Sequence, residues 1–597
     1  MTFRPDKALL AVLFVLPALP ALAGGRGDAL ADAAVAIERG DGIAAEVAAR
    51  RALDAGKPHA AVDAYLGEAA LLQDDPDEAR QWLAPARFDA ASAQRGFHAL
   101  GRLELGAGHF AEAAAAFDRA LAADRPDARL WVDIGRLRYR AGEQHLAADA
   151  VKRALAIDAD EPQALKFQAE LVRDARGLVA ALPWLARAAQ RAPKDLDVLG
   201  EYAGTLGDLG RYRDMLGVAR AMVKIDRTDP RAYFLQAVLA ARAGQDELAR
   251  RLLWSTGGAY DDTPAGMLVA GVLEYRADST ALAVERFDKL VALQPDNETA
   301  RCLLARALLA DGDASEVIAR FAERAGRPDT SPYLLMLVGR AYEQLDRRDL
   351  AAPFLDRAAH GSDIAIGPLL PSEAGELAVH RPGGDPTAAD VAVPTLRKLL
   401  AEGRTDEAAT YAVKLRQRFA NSSDIDVLSG DAAFLSGDAA GALAFYRSAA
   451  RVRWTGALAE RTAAAETRLG RGDLAEAELA AYLTQHPQDR AIAALLGRAA
   501  AADGDWRHAA VLLGHAAGLT AGAGDPRLIA DLAEAQLHLG DGPRALANAR
   551  RAYALQRGSP RATSVLAATL ATSRPDGAQI MLAKARALGS EPALALR

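Results

Sequence analysis

The sequence predicts an all-α protein, an α-solenoid of about sixteen antiparallel helix hairpins in two arrays. Three columns of residues predict it. Small residues recur every 34 positions, at Ala33, Gly67, Gly101, Gly135, Ala169, Ala203, Ala237, Gly271, Ala305 and Gly339. Seven places later comes a turn residue: Gly40, Asp74, Gly108, Gly142, Gly210, Gly244, Asp278, Gly312 and Asp346. Sixteen places after the small residue comes a larger apolar one in most units, as at Leu83, Phe117, Val151, Leu185, Leu253, Phe287, Phe321 and Leu355. A fixed period in this range marks stacked supersecondary units, none of which buries its apolar face alone.

Taken from the start, the chain opens on an address. Arg4 and Lys7 precede nine unbroken apolar residues, Ala8 to Leu16; Pro17 and Pro20 break the run, and Ala21-Leu22-Ala23 offers small residues for cleavage. This pattern predicts a secretory signal peptide over 1–23, cut after Ala23, and hence a periplasmic or secreted protein. The alternative is an uncleaved anchor in the inner membrane, for which the apolar run is short.

Residues 24–360 then form the first array of about ten repeats. Small residues let the two helices of a hairpin approach closely, and the Gly or Asp column closes the turn between them. The Phe or Leu column is expected to fill the space between one hairpin and the next. Prolines such as Pro58, Pro126, Pro162, Pro230, Pro264 and Pro328 stop one helix and pre-set the start of another.

From 361 to 388 the period lapses into a Gly/Pro-rich stretch, read as a linker or an insertion. A second array of about six less regular repeats follows over 389–597. Its small or apolar positions are Leu396, Gly430, Ala465, Gly497, Ala533 and Ala567, and its turns Gly403, Gly437, Gly472, Gly504 and Gly540.

Composition excludes several classes. The 597 residues are 51% hydrophobic by a count that includes alanine, too apolar for intrinsic disorder. One cysteine, Cys302, rules out a disulfide framework. A net charge of −7 argues against nucleic acid as a partner. Beyond the leader no run of ~20 apolar residues appears, so any membrane association is peripheral.

Residues 97–126 carry a family likeness. Phe97, Leu100, Gly101, Glu104, Ala113, Phe117, Ala120 and Pro126, the last one place beyond the usual proline, resemble the tetratricopeptide repeat, and the chain resembles an exported bacterial member of that family. The resemblance implies a right-handed superhelix whose first helices line a concave groove for protein partners. Carried onto this sequence, it places Arg95, His98, Arg102, Arg129, Arg136, Tyr139, Arg140, Lys166 and Arg173 on that face. A second patch has Arg231, Phe234, Tyr275, Arg276, Arg306, Tyr333 and Arg340. Arginines interleaved with aromatics suit carboxylates and the acidic segments of a partner; the plainer reading is a solvated helix face in an arginine-rich chain. Such repeats grip a chaperone's C-terminal carboxylate with lysine and asparagine at defined first-helix places, and none of the three asparagines, Asn297, Asn421 and Asn548, falls on those places.

No catalytic or cofactor motif accompanies the repeats: no Walker-type loop, no nucleophile elbow and no histidine pair at zincin spacing. His508 and His515 lie seven apart but flank Gly514, and Asp311-Gly312-Asp313 and Asp503-Gly504-Asp505 fall on hairpin turns without the rest of a calcium loop. No enzyme activity, cofactor, metal or small-molecule ligand is expected. Three functions compete: a periplasmic scaffold for an envelope assembly such as exopolysaccharide export or surface-protein secretion; a periplasmic maturation factor or chaperone holding extended peptides in its groove; and an enzyme sited in 361–388, where Asp363, Glu373, Glu376, His380 and Asp385 show no organising spacing.

Overall fold

Helices begin where the sequence supplies caps. Asp229 accepts the amides of Arg231 at 2.7 Å and Ala232 at 3.4 Å, with Pro230 as the first helical residue. The same side-chain cap followed by proline opens helices at Thr263–Pro264, Ser331–Pro332, Asp525–Pro526 and Ser559–Pro560. Proline costs nothing there, because the amide it lacks would have had no helical partner. The boundary prolines are therefore chiefly starts.

A computed structural model describes residues 28–589 except 125, 296, 328–329, 361–388, 420–421 and 520–524. The leader over 1–23 and the Gly/Pro-rich stretch lie outside the described residues. Among those described there are 32 helices and no strand, in sixteen successive pairs along the chain. Ten precede residue 361: Ala29–Glu38 with Gly42–Asp54, His59–Leu72 with Pro76–Leu83, Ala93–Gly106 with Phe110–Ala123, Ala128–Arg140 with Gln144–Ile157, Pro162–Arg176 with Leu178–Arg191, Leu196–Asp208 with Tyr212–Ile225, Pro230–Arg242 with Asp246–Trp254, Pro264–Arg276 with Thr280–Leu293, Glu298–Asp311 with Ala314–Gly326, and Pro332–Gln344 with Arg348–His360. Six follow it: Ala389–Ala401 with Thr405–Arg418, Ser423–Leu435 with Ala439–Ala450, Gly456–Arg468 with Gly472–Gln485, Arg490–Ala502 with Trp506–Gly518, Pro526–His538 with Gly542–Leu555, and Pro560–Leu570 with Pro575–Ala587. No helix among the described residues is long and apolar enough to cross a membrane.

By compactness the chain divides into two units, Met1–Leu137 and Arg138–Arg597. In both, the packing inside a hairpin follows one rule, which adds to the expectation for the large apolar column. The large residue sixteen places on sits on the small residue of its own hairpin and also joins the core of the next, Leu83 with Ala99 and Leu103, Tyr446 with Leu458 and Ala465, and Leu513 with Leu528 and Leu532. A Cβ on Gly271 would lie 2.6 Å from the Phe287 ring, one on Gly339 2.6 Å from Leu355, and one on Gly497 2.7 Å from Leu513. Phe117 covers Gly101 and Tyr446 covers Gly430 in the same way. The reason is geometric: in an antiparallel pair of two such short helices, positions sixteen apart face each other. Where the covering residue is itself small, as at Ala219, alanine replaces glycine at Ala203, and both are buried.

The turn column behaves as expected at most hairpins, with φ of 80° at Gly108 and 57° at Asp346. One second-array position is corrected. The left-handed residue of its third hairpin is Gly470, with φ of 76°, whereas Gly472 is the first residue of the following helix. Cys302 is buried on the first helix of the ninth hairpin, where burial, with Glu298 adding to it, pushes its thiol up to about 12.

Within the unit Arg138–Arg597 the arrays touch through described helices of both. Helix Leu178–Arg191 meets Gly472–Gln485, and Arg348–His360 meets Pro560–Leu570.

Candidate interaction face

The first helices of neighbouring hairpins stand side by side, so residues about 34 apart come within reach of one another. On Met1–Leu137 this builds a run of ion pairs. Arg95 reaches Glu68 at 2.6 Å and covers the Tyr65 ring at 4.9 Å. Arg102 lies between Glu68 at 3.5 Å and Asp133 at 3.8 Å. His98 Nε2 is 2.8 Å from Asp133, and Arg136 is 3.3 Å from its other oxygen. Asp133 is buried, which alone would raise its pKa; the bond to His98 and the charges of His98, Arg102 and Arg136 outweigh that and hold it below the ordinary carboxylate value. Three guanidinium groups thus share two carboxylates.

The unit Arg138–Arg597 continues the pattern over its first hairpins. The Tyr139 hydroxyl donates to Asp174, and Arg173 pairs with Glu201. Burial, then the bond to Asp174, pushes Tyr139 up to about 12. Lys166 is buried and bonds Asp197 at 2.6 Å, and Arg231 reaches the second oxygen of that carboxylate at 3.0 Å. Arg140, like Arg129 in the other unit, lies exposed.

The second patch is less continuous. Phe234 is buried under Tyr260, the rings parallel at 3.9 Å. Arg306 donates to the Tyr275 hydroxyl at 3.1 Å and lies over the ring at 4.6 Å. Burial raises the Tyr333 pKa, with the Arg306 charge opposing it. Arg276 turns to Asp246 at 3.0 Å and the Ala241 carbonyl at 2.8 Å, and Arg340 to Glu343 at 2.5 Å.

The cations and aromatics of this face stand out in the sequence and their carboxylates do not, although one column carries some of the acids. The place after the small column holds Glu68, Arg102, Arg136 and Glu170 in the first array, and Arg397, Asp431, Glu466, Arg498 and Glu534 in the second. In the second array the acids are buried deeper. Asp431 Oδ1 accepts from Tyr446 at 2.7 Å and Arg461 at 2.8 Å, and Asp531 bridges Arg498 and Arg561 at 2.7 and 3.0 Å.

His508 and His515 turn to separate partners, Asp505 at 2.5 Å and the Pro487 carbonyl at 2.6 Å. The Asp-Gly-Asp segments close hairpins, Gly312 at φ 93° and Gly504 at 79°.

Side-by-side helical hairpins with a repeated charge column define the chain as a repeat protein of the helix-hairpin class. Two stretches match the tetratricopeptide-repeat model, residues 98–162 and 397–457. No curated protein matches the sequence. Among solved structures, the chain is similar to the Cut9–Hcn1 hetero-tetramer of the APC/C at 13% identity, covering 94% of this chain and 93% of that one with a TM-score of 0.37. It is also similar to pilF of Pseudomonas aeruginosa at 18% identity (35% and 95% covered, TM-score 0.30) and to the human IFIT1 dimer with PPP-AAAA at 16% (70% and 94%, TM-score 0.34). Tetratricopeptide repeats point to a protein–protein interaction scaffold.

Proposed function

We propose that the chain is a non-catalytic periplasmic scaffold whose first-helix face holds protein partners of an envelope machine, in exopolysaccharide export or surface-protein secretion. The leader pattern over 1–23 supports the compartment. The observation that carries the binding role is the run of cations along this face: Arg95, Arg102 and Arg136 meet Glu68 and Asp133 at 2.6 to 3.8 Å, each with its guanidinium side chain partly exposed. An acidic partner segment can exchange with the internal carboxylates there, because these pairs are partly solvated and each is individually weak. The envelope machine rests on fold-level analogy.

The test is crosslinking in living cells with a C-terminally tagged chain, followed by fractionation. Capture of export or polysaccharide-assembly components from the periplasm is the expected result, reduced at least fivefold by Arg102→Glu with Arg136→Glu and by added salt. Recovery of the mature protein in the cytoplasm would overturn the reading. A spread of unrelated, partly folded clients would replace it with the chaperone.

A further inference from the structure

The fifth hairpin has a turn unlike its neighbours. Gly177 alone separates Pro162–Arg176 from Leu178–Arg191, where three residues separate the helices of the fourth and sixth hairpins. Like the second helices of those two hairpins, Leu178–Arg191 has no side-chain cap. Gly177 stands at φ 96° and ψ 178° and serves as the end of one helix and the start of the next. The orphan groups that every helix end leaves must then be satisfied from elsewhere.

Two of them are satisfied from the second array. The Ala180 amide, in the first turn of Leu178–Arg191, donates to Gln485 Oε1 at 3.0 Å, a partner 305 residues along the chain. At the end of Pro162–Arg176, the Asp174 carbonyl accepts the Trp454 amide at 2.7 Å. The approach is close enough to demand glycine on the first-array side: a Cβ on Gly177 would lie 2.5 Å from that of Gln485 and 2.9 Å from His486 Nε2. One hairpin further, the Tyr212 hydroxyl donates to Gln488 Oε1 at 3.2 Å, and a Cβ on Gly210 would meet the Gln488 amide at 2.5 Å.

The edge that docks is built before it docks. Trp454 Nε1 donates to Glu478 at 2.9 Å and its ring meets Tyr482 edge-on at 5.2 Å, both within its own array. What crosses between the arrays here is a small set of hydrogen bonds against two glycines. Contacts of this kind are the low-stability end of a fold and open without unfolding either side.

We propose that this contact is a latch, in which the second array closes reversibly on the turns of the fifth and sixth hairpins and completes their helix ends. The latch communicates with the first-helix face through Asp174. Its backbone carbonyl is held by Trp454, while its carboxylate accepts from Tyr139 and lies 3.9 Å from Arg173. Opening the latch releases the segment that positions that carboxylate. This goes beyond a scaffold with a fixed face, and it holds or fails without any partner being known.

Hydrogen exchange on the full chain tests it. Amides over 178–182 and 453–455 should be protected in the wild type. In Gln485→Ala with Gln488→Ala they should exchange at least tenfold faster, while the helices of both arrays keep their protection. Gly177→Leu, which wedges the contact from the other side, should expose the Trp454 amide to the same degree and raise the radius of gyration. A wild-type Ala180 amide that exchanges as freely as an unstructured one, or rates that neither variant moves, would overturn the latch.

Discussion

The hairpin carrying Gly101 and Phe117 and the hairpin carrying Gly430 and Tyr446 solve one packing problem with different chemistry. Each lays a buried ring over a glycine sixteen places earlier. Over Gly101 the ring is a dry phenyl, touched at its edge by His98. Over Gly430 the ring carries a hydroxyl, which donates to buried Asp431, which in turn takes Arg461 from the next hairpin. Burial raises the Asp431 pKa, and Arg461 opposes that without cancelling it. The slot sets size and leaves polarity free; one oxygen converts a local apolar contact into a link between repeats.

Truncating the rings should have the largest effect and should not distinguish the two hairpins. Phe117→Ala and Tyr446→Ala are each expected to cost about 3–5 kcal/mol in denaturant melts. The contrast appears with Tyr446→Phe, which takes one of two donors from buried Asp431 Oδ1 and should cost about 1–3 kcal/mol. If Tyr446→Phe is neutral, the hydroxyl link does not bear on stability and the two slots are equivalent.

Filling the glycines comes next. Gly101→Ala and Gly430→Ala push a methyl into a packed ring, an overpacking cost of about 1–3 kcal/mol, against a gain in helix propensity of up to about 1 kcal/mol. Both should lower the melting midpoint. A rise in either would mean that the ring moves aside freely.

Acid separates the regions more finely. Asp133 sits below the ordinary carboxylate value, so its contribution is present above about pH 3.9 and is lost as pH falls through its lowered folded value. Asp431 sits above it, so its contribution is fully present below the same unfolded value and is lost as pH rises through the raised one. Relative to wild type, the cost of Asp133→Asn should therefore shrink on acidification and the cost of Asp431→Asn should grow. Denaturant midpoints of both variants across the acid range check this, and a common direction would remove the distinction.

The architecture was legible because each column answers to contacts inside one hairpin or between neighbours. Small residue, turn and covering side chain repeat wherever two helices must meet, so Gly101, Gly108 and Phe117 announce one another. Gly470 and Gly472 both suit the turn spacing, and only the left-handed φ of Gly470 tells them apart. The interaction face was half legible. Its cations were found, but Glu68 and Asp133, which hold them, sit one repeat away in a chain rich in both charges. The docking of Gln485 on Ala180 left only an oblique trace, a missing turn residue in the fifth unit. Nothing local relates residues 305 apart.

Cys302 gives the molecule a chemical clock. A sole thiol, buried in the ninth hairpin and held up to about 12, is inert to alkylating reagents while that hairpin is closed. Its labelling rate therefore times the opening of one known repeat. In a chain stabilised by neighbours, comparing that rate with global melting says whether the solenoid frays from its ends or fractures in the middle.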